Sequence, residues 1–461
     1  MRSLSDIKRG YALLARFYRE FIKPRKAGYF AICILHILFA GALIAPPYLL
    51  KDIIDKGIAE KDAPLITLLS IILFLVFAAV AIVDKVRSYW GHIVAQRITY
   101  TLRNRLYSHL QKLSFSFYDN IKIGELLSRI IDDLNITQEI LYHGPQNIIT
   151  NGFVLFFTAG MMLVLNFKLA LICLVVMVLI GICNFFIARR MFMGARQERT
   201  RKASLASRTE DNLSGIRIIQ SFVREHHEMD RFDQENKAHY GSRLQVITPM
   251  SWLFPVSMLI LGLSLALAAG LGGHAVLSGT MTVGVLTAFV MYLQRFMWPM
   301  LALAMISEQI TRFFAGIERY FNYMDIEPDV KDRPDAIQLG RVEGEIRFEN
   351  VWFRYENEDI LKGIDLTINP GETVALVGPS GAGKTTITSL IPRFYDPYHG
   401  SLFVDGHDIR DVKLQSLRDN IGLVMQNDYL FSDTLINNIA YGRLDATREE
   451  IFEAARQANV D

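Results

Sequence analysis

In the run Gly378, Pro379, Ser380, Gly381, Ala382, Gly383, Lys384, Thr385 and Thr386, the first eight residues follow the pattern G-x-x-x-x-G-K-[ST]. A loop of this kind turns successive backbone N–H groups inward around a phosphate, and its glycines leave out the Cβ atoms that would block the approach. The Lys384 ammonium offers a point charge to the β- and γ-phosphates, and the Thr385 hydroxyl offers an oxygen to Mg²⁺. A Gly-rich turn can arise by chance, but the flanks argue for the phosphate reading. The apolar run at 373–377 reads as a buried strand, and the segment from Lys384 to Leu390 reads as a helix whose N-terminus faces the phosphates.

These elements fill only the last part of the chain. With 461 residues, 51% of them hydrophobic, and a mean hydropathy of +0.23, the sequence is too long and too apolar for one soluble domain. A net charge of +2 gives no sign of nucleic-acid binding. Cys33, Cys173 and Cys183 are scattered through apolar runs without a C-x-x-C, which disfavours disulfides or a zinc site and suits small buried hydrophobes. A membrane span needs roughly 20 apolar residues. Six runs qualify: 27–50, 65–83, 148–165, 169–188, 252–277 and 283–306. The first is too long for a signal-peptide core and is expected to stay on the protein.

The connections between these runs alternate in length. Three are short, whereas 84–146 (63 residues) and 189–250 (62 residues) are long, nearly equal and helical in composition. Helices of about 30 residues would project roughly 45 Å from the bilayer and return. The N-terminal tail (1–26) and the two long connections hold 8, 8 and 12 Lys and Arg, against 3, 1 and 0 in the short loops. The positive-inside rule therefore expects tail, long connections and phosphate loop in the cytoplasm of a multi-pass cell-membrane protein. A polar helical stretch follows the sixth run, then a linker at 326–344 rich in turn formers, and from 345 a strand pattern begins. In it Asp405 and Gly406 read as a hairpin turn.

Six spans with two long excursions, followed by this phosphate loop, resemble an ABC exporter half-transporter. The resemblance runs through nearly the whole chain. It includes Phe117, Tyr118 and Asp119, the run from Gly215 to Phe222, Tyr355, the run from Arg393 to Pro397, and the run from Val424 to Phe431. It implies an all-α six-span transmembrane domain with long cytoplasmic helical extensions (27–325), then an α/β P-loop nucleotide-binding domain, incomplete here (345–461). It also implies an ATPase coupled to transport, with ATP and Mg²⁺ bound. The expected partners are a second half-transporter (the same chain or a relative), membrane lipid and a small amphipathic substrate. By this resemblance Tyr355 stacks on adenine, and its alternative is a strand aromatic facing the core. Gln426 contacts Mg²⁺ and the attacking water, alongside Thr385. Phe117, Tyr118, Asp119 and the segment 214–217 form short coupling helices that dock on nucleotide-binding domains, or else pack within the excursions.

Two segments imitate motifs without filling their roles. Leu213, Ser214 and Gly215 resemble the start of the family signature, but Ile216 follows and the stretch lies in the fourth connection. Leu402 to Asp405 resembles a strand ending in a metal-supporting aspartate, but Gly406 and His407 follow. The sequence contains no L-S-G-G-Q, no hydrophobic run ending in Asp-Glu and no later switch histidine, so residues 1–461 alone are expected to be inactive. A nucleotide-sensing membrane regulator and a non-catalytic partner fragment stand as alternatives to the exporter. His36, Asn184, Gln294 and Arg295 are polar residues inside spans, expected to face a substrate cavity or to bond between helices.

Overall fold

The computed structural model describes residues 4–460 except 120, 122, 356, 357 and 426–428. The chain divides into two compact units, Met1–Lys112 with Ile121–Ile326 and Leu113–Asn120 with Glu327–Asp461. In chain order the helices up to the linker are α1 (Leu4–Phe17), α2 (Lys26–Ala42), α3 (Ala45–Asp52), α4 (Ala63–Leu110), α5 (Phe115–Asp119), α6 (Ile123–Ser128) and α7 (Leu134–Pro145). They continue with α8 (Asn151–Leu165), α9 (Phe167–Ser214), α10 (Ile216–Ser221), α11 (Glu225–Leu277), α12 (Val283–Gln294) and α13 (Met297–Met324). All but α5 belong to the first unit.

Among the described residues six helical stretches are long and apolar enough to cross a membrane; they contain the first five runs read from the sequence and, as Val283–Leu303, most of the sixth. The helices do not end where the apolar runs end. α4 and α9 have 48 residues each and α11 has 53, so each continues unbroken from its apolar run into a polar excursion. Side-chain caps fix the starts of α4, α9 and α12. Asp62 accepts from the N–H of Leu65 at 3.0 Å, Asn166 from that of Leu169 at 3.0 Å, and Thr282 from that of Val285 at 3.2 Å.

Two spans expected as single helices are interrupted. The first breaks between α2 and α3, and the sixth between α12 and α13, where Arg295 and Phe296 form a turn. The cause is the same in both. Pro46 and Pro47 lie in the first turn of α3, and Pro299 in that of α13. A proline supplies no N–H and crowds the carbonyl four residues back, so the preceding helix closes with three-residue bonds (Ile44 N–H to Gly41 O, 3.1 Å; Phe296 N–H to Leu293 O, 3.2 Å) before a new one starts.

The core of the first unit joins α8, α9, α11 and α12 around Met162, Met177, Phe289 and Tyr292, all at most 1% exposed. Tyr292 satisfies its buried hydroxyl by donating to the carbonyl of Ile44 at 2.8 Å. Cys173 is fully buried in this core, whereas Cys33 and Cys183 are only half-buried, and all three are free thiols. Two of the intramembrane polar residues bond between helices. His36 Nδ1 lies 2.6 Å from Thr150 Oγ1 and 3.2 Å from Nη1 of Arg87, and Asn184 donates to Ser257 Oγ at 3.0 Å. Gln294 is exposed and Arg295 half-buried.

The second unit contains a four-stranded antiparallel sheet, ordered β2-β1-β3-β4, of β1 (Ile346–Tyr355), β2 (Glu358–Ile368), β3 (His399–Val404) and β4 (His407–Asp408). Its core of Phe348, Val351, Phe353, Leu361, Leu402 and Val404 is closed by Leu390 of α14 (Lys384–Leu390) and by Leu417 of α15 (Leu414–Arg418). α16 (Leu435–Ile439) and α17 (Arg448–Gln457) follow, the latter opened by a capping box of Thr447 and Glu450. The linker is not free. Ile337 bridges to Val412, and the N–H of Leu339 donates to Ser416 Oγ at 3.1 Å. The expected strand at 373–377 is absent. Those residues form no ladder, and Val377 is 92% exposed. A strand exists through its neighbours' hydrogen bonds, and no described strand lies beside this one.

Candidate nucleotide-binding site

The loop from Gly378 to Gly383 leads directly into α14. Gly381 (φ +82°) and Gly383 (φ +84°) take left-handed conformations that a side chain would strain, and the Ala382 N–H closes a turn on the Pro379 carbonyl at 3.2 Å. A Cβ on Gly383 would also lie 2.6 Å from Leu361 Cδ2, so the third glycine is needed for the loop to seat on β2. Lys384 folds its ammonium across the loop, donating to the carbonyls of Gly378 (2.9 Å) and Pro379 (2.7 Å). An ammonium has three donors, so one remains beyond these two bonds. Ser380 and Thr385 are exposed, whereas Thr386 is buried beneath the helix. Exposed backbone, left-handed glycines and a folded lysine fit a polyphosphate, with Thr385 at the position of a metal-ligating hydroxyl.

Tyr355 ends β1, opposite Glu358 in the β1–β2 register, and two residues before it Phe353 faces Leu361. The residue against which Gly383 packs thus pairs with the strand end that carries Tyr355, which brings loop and ring to one edge of the sheet. Tyr355 is 37% exposed, with its ring edge-on to Phe353 (4.8 Å between centroids) and to Tyr395 (5.5 Å). It is neither a core aromatic nor a free one. Two faces are braced and part of the ring is open, as a stacking platform requires. Gln426 lies outside the described residues.

The run from Arg393 to Pro397, part of the resemblance, carries a role that the sequence did not announce. Arg393, 3% exposed and at φ +52°, holds Asp396 with two bonds (2.7 and 3.0 Å) and donates to the carbonyl of Ile409. Arg418 ties down the carbonyls of Pro392 and Arg393 at 2.9 and 3.0 Å. These bonds fix Phe394 and Tyr395 against α5. The Phe394 ring lies 4.2 Å from that of Phe115, and the Tyr395 hydroxyl donates to Asp119 at 2.7 Å. Burial, and then the Asp119 carboxylate, push the Tyr395 phenol well above its usual range, so it remains a donor at physiological pH. A cleft of about 730 Å³ lies among Ser116, Asp119, Arg354, Tyr355, Glu358 and Tyr395.

Of the three tip residues named from the sequence, Asp119 bonds to Tyr395, and Phe115, two residues before Phe117, packs its ring tilted against Phe394. At the other tip, Ile218 of α10 and the following Phe222 and Val223 are 65–80% exposed. Asp405 is spoken for. It occupies the β3–β4 turn with Gly406 (φ +47° and +79°), and its carboxylate accepts from the N–H groups of Glu343, Gly344 and Glu345 at 2.6–3.0 Å.

Two family models match the chain, one described as the ABC transporter transmembrane region over residues 29–300 and one as ABC transporter over 361–461. Among curated relatives, a provisionally named multidrug export ATP-binding/permease protein of Bacillus subtilis is 36% identical over 451 residues, 96% of this chain and 78% of the relative. An uncharacterized ABC transporter ATP-binding protein of the same organism is 35% identical over 97% of this chain and 78% of its own length. An ATP-dependent lipid A-core flippase of Syntrophus aciditrophicus is 34% identical over 94% of this chain and 72% of its own.

Proposed function

The chain belongs to the ABC transporter family, and from that premise we propose that it is one half of an ATP-driven exporter of amphipathic, lipid-like or drug-like molecules. The observation that carries this reading is the membership of α5. This short helix is continuous in sequence with the apolar helix α4, yet it is built into the unit that holds the phosphate loop. The names of the relatives support the substrate class. Multidrug export and lipid A-core transfer both concern molecules with an apolar body and a polar head.

In this reading the loop from Gly378 to Gly383 and Lys384 hold the phosphates of ATP, Tyr355 stacks on the adenine, and Thr385 with Gln426 holds Mg²⁺. Bound ATP supplies the phosphoanhydride whose cleavage resets the transporter. The protein's part is differential affinity, because a ligand shifts a conformational equilibrium only by its preference for one state. The second half-transporter is a copy of this chain or a relative, and we assign the exposed apolar tip at Ile218, Phe222 and Val223 to docking on a nucleotide-binding domain.

Residues 1–461 on their own are expected to bind nucleotide weakly at best and not to turn it over, since no residue among them matches the family's general base. Purified 1–461 should show no Mg²⁺-ATPase activity above its Lys384→Ala control. Lys384-dependent hydrolysis by this segment would defeat the assignment. The orientation is tested separately. With the tail and excursions in the cytoplasm, a lone cysteine at Ser278 should react with an impermeant maleimide on intact cells, in a background lacking Cys33, Cys173 and Cys183. One at Ser214 should react only after lysis. The reverse pattern would invert the topology.

A further inference from the structure

A groove of about 350 Å³ lies on the first unit where the N-terminal segment meets α4, lined by Arg25, Gly28, Tyr89, Trp90, Val94 and Arg97. Its depth follows from the sequence. Gly28 stands at the start of the first apolar run, and Tyr89 follows Asp84, Lys85 and Arg87, which close the second. With a hydrocarbon core of about 30 Å inside a bilayer of about 40–45 Å, this is the headgroup zone of the leaflet on the side of the N-terminal segment. Tyr89 and Trp90 are 63% and 51% exposed, as amphipathic rings at such a boundary are.

One of the two cations is held in place beforehand. Arg25 donates to the carbonyl of Phe21 at 3.2 Å and to Thr101 Oγ1 at 2.8 Å, and the Thr101 hydroxyl donates to the carbonyl of Arg97 at 2.8 Å. One chain of bonds therefore fixes the first guanidinium beside the turn that bears the second. Neither arginine has an acidic partner among the described residues, and Arg97 is exposed. Gly28 gives the groove its floor. A Cβ there would only touch Val94, at 3.8 Å, so the backbone tolerates a side chain but the hollow would be filled.

The geometry points to a binding site for an anionic phospholipid, its phosphate on Arg25 and Arg97 and its first acyl carbons against Trp90, Val94 and Gly28. Two guanidinia without carboxylates above an apolar floor with interfacial aromatics complement a phosphodiester joined to a hydrocarbon chain. This site does not depend on the nucleotide reading.

Trp90 is itself the probe. A variant with Trp252→Phe, Trp298→Phe and Trp352→Phe leaves it as the only tryptophan. In phosphatidylcholine vesicles, brominated phosphatidylglycerol should quench Trp90 half-maximally at about a fivefold lower mole fraction than brominated phosphatidylcholine. Arg25→Gln with Arg97→Gln should erase that preference while quenching by the brominated phosphatidylcholine persists, which also shows that the variant is folded and inserted. Gly28→Leu should weaken quenching by both lipids. Equal quenching of the parent variant by the two lipids, or a preference that survives loss of both arginines, would overturn the site. So would a Trp90 shielded from both lipids, since the groove would then be covered by protein.

Discussion

Lys384→Ala is expected to lose ATP photolabelling almost completely, with affinity falling on the order of a hundredfold or more. The loop fixes this size. A charge-assisted bond to a phosphate oxygen contributes about 1.5–3 kcal/mol net, and the ammonium has more than one oxygen to reach. The substitution also strips the Gly378 and Pro379 carbonyls of their donor, but these are exposed and water can replace it. Thermal stability should therefore hardly move. Tyr355→Ala acts at the other end of the ligand. It should weaken ATP by about tenfold or more, as loss of a stacking ring does, while leaving the affinity for inorganic tripolyphosphate unchanged. Tyr355→Phe should retain most of the ATP affinity. Azido-ATP labelling in membranes, with tripolyphosphate as competitor, separates the two contributions. Wild-type labelling of Lys384→Ala would refute the phosphate loop. Equal weakening of both ligands by Tyr355→Ala would return that tyrosine to a structural role.

Much of this was legible in the sequence because the signals are local. The apolar runs, the G-x-x-x-x-G-K-T pattern and the Asp405-Gly406 turn each depend on a few adjacent residues, and the fold places them as read. What was missed depends on distant partners or on proline. The run 283–306 is apolar apart from Gln294 and Arg295, and hydropathy does not register that Pro299 resets the helix. The segment 373–377 has strand composition, but a strand is a property of its neighbours and not of its own residues. The polar residues inside the spans looked equally suited to a cavity or to helix pairing. Only the partners decide, and for His36 and Asn184 they are Thr150 and Ser257. The bond between Tyr395 and Asp119 joins residues 276 positions apart, and nothing local announces it.

That bond, with the ring pair beside it, sets the size of the last expected effect. Phe115 against Phe394 contributes about 0.5–1.5 kcal/mol beyond its area, and the Tyr395–Asp119 bond about 1.5–3 kcal/mol because its acceptor is charged. Removing both by Phe115→Ala with Asp119→Ala lowers the docked population of α5 by on the order of 30- to 2000-fold, if the two contributions add. Neither residue belongs to the phosphate loop, and the Tyr355 ring keeps its contact with Phe353. Nucleotide labelling should then stay within about threefold of wild type. What should vanish is communication. In the intact transporter with its second half present, ATP should change the maleimide reactivity of a cysteine at Ser278, at the far end of α11, and the double substitution should remove that response. Asp119→Asn, which keeps an acceptor but not the charge, should restore part of it when Phe115 is retained. A full ATP response in the double variant would show that α5 is a packing element and that the spans take their signal elsewhere. A collapse of labelling together with the response would show that α5 supports the nucleotide site itself.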